Sequence, residues 1–170
     1  TCPPLPQSAS DPSGAIGDNP APWGTVITVG TGDKDLVGTG GYSVVLYGIP
    51  VADPALPCTN FGFMLGTKDT ATGSITGVYE LNESAGDDMG AGFHATGLAD
   101  GIGSLPANTW YVVGYYVGAA NSISIPADGA ATQASVQPWS VNPDVKIWWI
   151  SGTGTAPAFG APTAKDAQGN

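Results

Sequence analysis

Trp110-Tyr111-Val112-Val113-Gly114-Tyr115-Tyr116-Val117 is the stretch on which the fold turns. It is β-branched and aromatic almost throughout, which suits a pleated strand, and a strand sends successive side chains to opposite faces. One face then carries Trp110, Val112 and Tyr116, and the other Tyr111, Val113, Tyr115 and Val117. Neither face is polar. Val145 to Ile150 repeats the pattern, with Trp148 and Ile150 on one side and Val145, Ile147 and Trp149 on the other, and Tyr42 to Ile49 behaves similarly. A sheet with one solvated face would alternate apolar and polar residues. Something must therefore cover the second face: an N-terminal arm, a long loop, or another copy of the chain. A second exposed apolar face would exceed the few hundred Å² that soluble monomers usually tolerate. The expectation is another copy, with Tyr111, Val113, Tyr115, Val117 and Trp149 at the interface.

Working outward, the body of the chain reads as short strands punctuated by Gly, Pro, Asn and Asp. The expected strands are Thr25 to Val29, Tyr42 to Ile49, Phe61 to Leu65, Ser74 to Leu81, Gly92 to Thr96, Thr109 to Val117, Ser122 to Ile125, Gln133 to Gln137 and Val145 to Ile150. No segment carries a helical stripe, and no fixed-period repeat stands out. The fold class expected is all-β, a two-sheet β-sandwich of jelly-roll type. Residues 1–24 hold six prolines and read as an extended arm, since proline fixes φ and donates no hydrogen bond. Residues 25–151 form the sandwich, and residues 152–170, rich in Gly, Ala and Pro, read as a frayed or partner-bound tail.

Leu105-Pro106-Ala107-Asn108-Thr109-Trp110-Tyr111-Val112-Val113 resembles the loop-into-strand signature of jelly-roll domains in bacterial surface and phage-tail proteins. The resemblance implies a style of fold and transfers no functional residue.

The charges exclude several partners. The chain has four lysines, no arginine and fourteen acidic residues, for a net charge of −10. Nucleic-acid binding needs cations to displace condensed counterions, and four scattered lysines do not supply them. Anionic membrane surfaces are excluded on the same ground. No apolar run approaches the ~20 residues of a membrane span. Only 11% of residues are charged, so the polar surface is built from Ser, Thr, Asn, Asp and Gly. That coat suits exposed strands, and points to an extracellular, cell-surface or virion location. The opening Thr-Cys-Pro-Pro then follows signal cleavage or removal of an initiator Met. Cys2 and Cys58, the only cysteines, are expected to form a disulfide closing a long loop, worth about 4 kcal/mol on the chain-entropy model.

Chemistry-bearing residues are sparse. His94 is the only histidine, and no Gly-x-Ser-x-Gly elbow accompanies it. His94 is expected to be a structural residue, and the chain not an enzyme. Asn82, Glu83, Asp87 and Asp88 cluster in one turn, and Asp33 and Asp35 in another; calcium takes oxygen ligands from such loops and is the one cofactor these residues suggest. Trp23, Trp139 and Tyr79 lie in or beside turn-rich segments and are the candidates for stacking on a glycan. Asn82-Glu83-Ser84 is a glycosylation sequon, of consequence only in a host that glycosylates. The function expected is a structural subunit of an extracellular or virion assembly, a homo-oligomer or filament held by strand faces and the arm. The alternative is a secreted carbohydrate-binding or adhesive module.

Overall fold

The computed structural model describes residues 20–32, 41–51, 55, 58–82 and 88–170. Among them there is no helix, and eleven strands form three antiparallel sheets. The first sheet is a meander of β1 (Trp23–Gly32), β2 (Tyr42–Pro50), β3 (Phe61–Asp69) and β4 (Ile75–Asn82), hydrogen-bonded in that order. The second takes β5 (Gly92–Asp100), β6 (Thr109–Val117), β10 (Val145–Thr153) and β9 (Ser135–Pro138), in that spatial order. The third is small: β11 (Thr163–Lys165), β7 (Ser122–Ala127) and β8 (Ala130–Gln133).

Local chemistry sets the turns. Between β7 and β8, Asp128 and Gly129 both take positive φ, 48° and 82°. That is the two-residue turn whose twist matches a hairpin, and Asp-Gly is a preferred pair for it. Between β3 and β4, the Asp69 carboxylate accepts from the Thr72 backbone N–H at 2.7 Å and the Thr72 hydroxyl at 3.0 Å. Those bonds to the ionised form, the backbone one first, hold the Asp69 carboxyl below the usual carboxylate range.

The apolar pattern sets the layers. Tyr111, Val113, Tyr115 and Val117 of β6 join Val145 and Ile147 of β10 in a core with Tyr42, Val44, Leu46, Phe61, Phe63 and Leu65 of the first sheet. The first and second sheets thus pack face to face. The opposite side chains of the same strands, Trp110, Val112, Trp148 and Ile150, form a second core with Ile123 and Ile125 of β7. The central sheet is buried on both faces by its own chain.

Two expectations change here. The face carrying Tyr111, Val113, Tyr115 and Val117 is an intramolecular one; all four are less than 10% exposed inside the chain's own fold, and half-buried Trp149 packs against the same core. The second face is covered by a third layer, which a two-sheet reading did not include. Its origin is local: Gln133 to Gln137, read as one strand, is split at Ala134, with β8 in the third sheet and β9 in the second.

The segment 152–170, read as a tail, docks on the domain. β11 pairs with β7, Phe159 bridges Ala127, and the Phe159 ring meets Trp110 edge-on at a centroid distance of 5.3 Å. Asp128 helps to anchor it, its N–H donating to Ala158 O and its carboxylate accepting from Ala158 N–H, each at 2.9 Å. A Gly/Ala/Pro composition hides such docking, because the bonds are backbone ones.

Candidate functional site

The expected ligand-binding aromatics fall inside the protein. Trp139 is 1% exposed and Trp23 6%. Trp139 contacts Trp23, Phe61 and Phe63 with ring centroids 4.9 to 5.4 Å apart, and its indole N–H donates to Trp23 O at 3.1 Å. Both rings belong to the core, so neither offers a face to a sugar. Tyr79 on β4 is half-buried against the same core. The sequence signal that misled is position: Trp139 follows β9 in a turn, but that turn folds back over the end of the sandwich through Trp139 N–H to Val145 O.

The acidic cluster is divided. Asn82 ends β4 half-buried, and Glu83 and Asp87 lie outside the described residues, as do Asp33 and Asp35. Asp88 is fully buried. Its carboxylate accepts from the Asn60 backbone N–H at 2.6 Å and the Asn60 amide at 3.3 Å. Its carbonyl accepts from the Tyr115 hydroxyl at 2.9 Å, and its N–H donates to Cys58 O. Asp88 therefore acts as a buried knot that ties the β2–β3 loop to β6. No three His, Cys, Asp or Glu side chains come together as a metal-holding group among the described residues.

His94 stacks on Tyr115 at 4.9 Å and 10°, and its Nε2 donates to Gly90 O at 2.5 Å. It lies beside the Asp88 knot and orients the turn before β5. Cys58 is disulfide-bonded and Cys2 lies outside the described residues.

Two surfaces stand out among the described residues. One is a cavity of about 350 Å³ under the β5–β6 loop, lined by Asp100, Ile102, Leu105, Asn108, Thr109 and Gly154. The Thr109 hydroxyl already donates to Pro106 O at 2.5 Å, and Gly154 N–H to Asn108 O at 2.9 Å. Asp100 and Asn108 are the exposed polar groups on its rim.

The other is the outer face of the first sheet. Val45, Tyr47 and Ile49 of β2 and Met64 of β3 point away from the second sheet and are 5% exposed or less. Val26 and Ile75, from the same sheet, pack beside them. The Tyr47 hydroxyl is buried without a hydrogen-bond partner, and burial pushes its pKa up to about 12. The sequence carries this signal in the two-faced apolar run Tyr42 to Ile49. Comparison with family models, with curated proteins and with solved structures returns no match.

Proposed function

We propose that the chain is a structural subunit of an extracellular or virion assembly: a filament, fibre or decoration protein without catalytic activity. What supports the reading is where the large side chains go. Both faces of the central sheet are closed by the chain's own layers, and among the described residues Leu98 alone is an exposed large hydrophobe. Such a stack is a rigid block with a surface of small polar and apolar residues, which lets neighbours approach closely. The finer architecture that goes with it is a jelly-roll-type sandwich with an extended N-terminal arm; β6 beside β10 supplies one crossover between non-consecutive strands. Contacts between copies then use outer surfaces and the arm, because the β6 and β10 faces are occupied. Size-exclusion with light scattering and negative-stain microscopy of native material test the reading. Particles well above the 17.0 kDa monomer are expected, and a monomer at millimolar concentration would overturn it.

The cavity under the β5–β6 loop favours a second reading, a secreted carbohydrate-binding or adhesive module. Asp100 and Asn108 offer the carboxylate and amide that commonly orient a sugar hydroxyl, and calcium held by the 82–88 turn belongs with this reading. Binding on a glycan array that Asp100→Ala abolishes would establish it.

A further inference from the structure

The C-terminal segment is held to the body by contacts that do not depend on which copy of the chain supplies them. β11 pairs with β7 through Thr163 with Ser124, Ala164 with Ile123 and Lys165 with Ser122. Asn121 N–H donates to Lys165 O at 2.8 Å, and Gly160 N–H to Pro126 O at 2.9 Å. The one large side chain of the segment, Phe159, lies edge-on to Trp110 in the second core. Phe159 and β11 thus fill a groove between the edge of β7 and the Trp110 ring. We infer that this groove also takes residues 158–165 of a second copy, so that copies join by exchanging their C-terminal strand. Strand exchange rests on the structural-subunit reading and supplies the contact between its copies.

Three features point to exchange. The first is the link. Between Thr153, the last residue of β10, and Phe159 run Gly154, Thr155, Ala156, Pro157 and Ala158. Thr155, Ala156 and Pro157 make no hydrogen bond among the described residues, and Gly154 turns the chain at a φ of 85° that glycine adopts freely. Swinging the link outward therefore breaks no bond of its own, and docking on a neighbour restores every bond of the segment. The balance between the two arrangements is then set by the link and by concentration, which is why exchange of an identical element is a low-cost route to assembly. The second feature is the receiving edge. With β11 lifted away, β7 presents a row of open backbone groups beside buried Ile123 and Ile125, which is a template for another strand. The third is charge. Residues 154–164 carry no charged side chain and Lys165 is positive, on a chain of net charge −10, so this segment enters an acidic neighbour without like-charge repulsion. The groove's own carboxylate, Asp128, accepts from the Ala158 N–H. Leu98 is the one exposed large hydrophobe among the described residues, so the Phe159 seat is where one copy can offer another a fitted socket for a ring.

The test uses two full-length variants, Ser124→Cys and Thr163→Cys, co-expressed, allowed to assemble and then oxidised. The two hydroxyls lie 3.0 Å apart across the β7–β11 pair, a spacing that a disulfide can replace. Each chain carries only one of the two new cysteines, so a bond between positions 124 and 163 can form only across copies. Peptide mapping without reductant should find it in the assembled material. Particles that lack this bond would overturn strand exchange and leave the structural-subunit reading standing, whereas monomers without it would overturn both. A second variant, the full chain lacking Ala156 and Pro157, reads the link directly. It shortens the reach of the segment by about 7 Å of extended chain. The concentration at half-assembly should fall by about tenfold or more, because a short hinge disfavours docking at home. An unchanged concentration would overturn the exchange, since contacts made on any other surface do not depend on this link.

Discussion

Tryptophan and glycine are matched partners in this protein, and the match decides what substitutions cost. In the β6–β10 ladder Trp148 faces Gly114 and Trp110 faces Gly152. A Cβ on Gly114 would sit 2.7 Å from the Trp148 ring, and one on Gly152 2.2 Å from the Trp110 ring. The glycines are seats for indoles, so their backbone disadvantage in a strand is offset by ring packing. The indole N–H groups are not equally served. That of Trp139 reaches Trp23 O, whereas those of Trp148 and Trp110 are buried without a partner. Trp139→Phe should therefore cost more stability than Trp148→Phe, by about 1–3 kcal/mol, although both sites are almost fully buried. Denaturant titration of the two variants checks the order, and equal costs would contradict it. Tyr47 carries the complementary case. Its phenol titrates near 12 when folded and near 10 when unfolded, so the unfolded chain ionises first. Stability should fall as pH rises from about 10 to 12, with no contribution from this group below that window. Tyr47→Phe should remove this alkaline loss and, by deleting an unpartnered buried hydroxyl, leave stability at neutral pH unchanged or higher. A large loss at neutral pH would show that the hydroxyl is bonded after all.

At the scale of elements, strands were legible where both faces are apolar, and layers were not. The runs Tyr42 to Ile49, Thr109 to Val117 and Val145 to Ile150 coincide closely with β2, β6 and β10, because aromatic and β-branched side chains mark a buried strand wherever its cover comes from. What covers each face depends on contacts distant in sequence. The cover for Trp110 and Trp148 comes from Ile123, Ile125 and Phe159, which sit among Ser, Ala, Pro and Gly and give a weak local signal. Phe159 is then the keystone of the docked C-terminal segment. Phe159→Ala should lower stability by about 1–3 kcal/mol, less than a fully buried phenylalanine because the ring is half-exposed. It should also speed proteolysis of residues 155–170, and an unaltered cleavage rate would contradict that anchoring role. In the candidate metal turn the described carboxylate has protein partners of its own. A carboxylate next to other carboxylates suggests a cation, but Asp88 turns inward to the Asn60 amide groups. Asp88→Ala should lower the melting temperature by the same amount with calcium as with chelator, since the lost bonds are protein ones. A drop seen only with calcium present would instead make Asp88 a ligand.

At the scale of the molecule, burial and charge set the terms on which copies would meet in the proposed assembly. Tyr115 is fully buried and its hydroxyl holds Asp88, so Tyr115→Asp should unfold the domain and cannot report on contacts between copies. In the proposed assembly, contacts between copies would be made on the outside, by small residues, between chains of net charge −10. Fourteen acidic residues face four lysines, and one of those, Lys146, is directed at Pro143 O. Two copies therefore repel at long range, with a reach of about 10 Å at 0.1 M salt and about 3 Å at 1 M. Close packing of neutral side chains is insensitive to salt, so screening removes the opposing term and leaves the attractive one. The assembled fraction should rise as salt is raised from 0.05 M to 1 M. It should rise again as pH falls toward the isoelectric point near 4.1. Asp69 and Asp166, held below the usual carboxylate range chiefly by bonds from backbone N–H groups, stay charged further down that descent than an ordinary carboxylate. Light scattering across the two series measures both trends. Assembly that dissolves in high salt would mean that ion pairs join the copies, and the reading of neutral close contacts would fail with it.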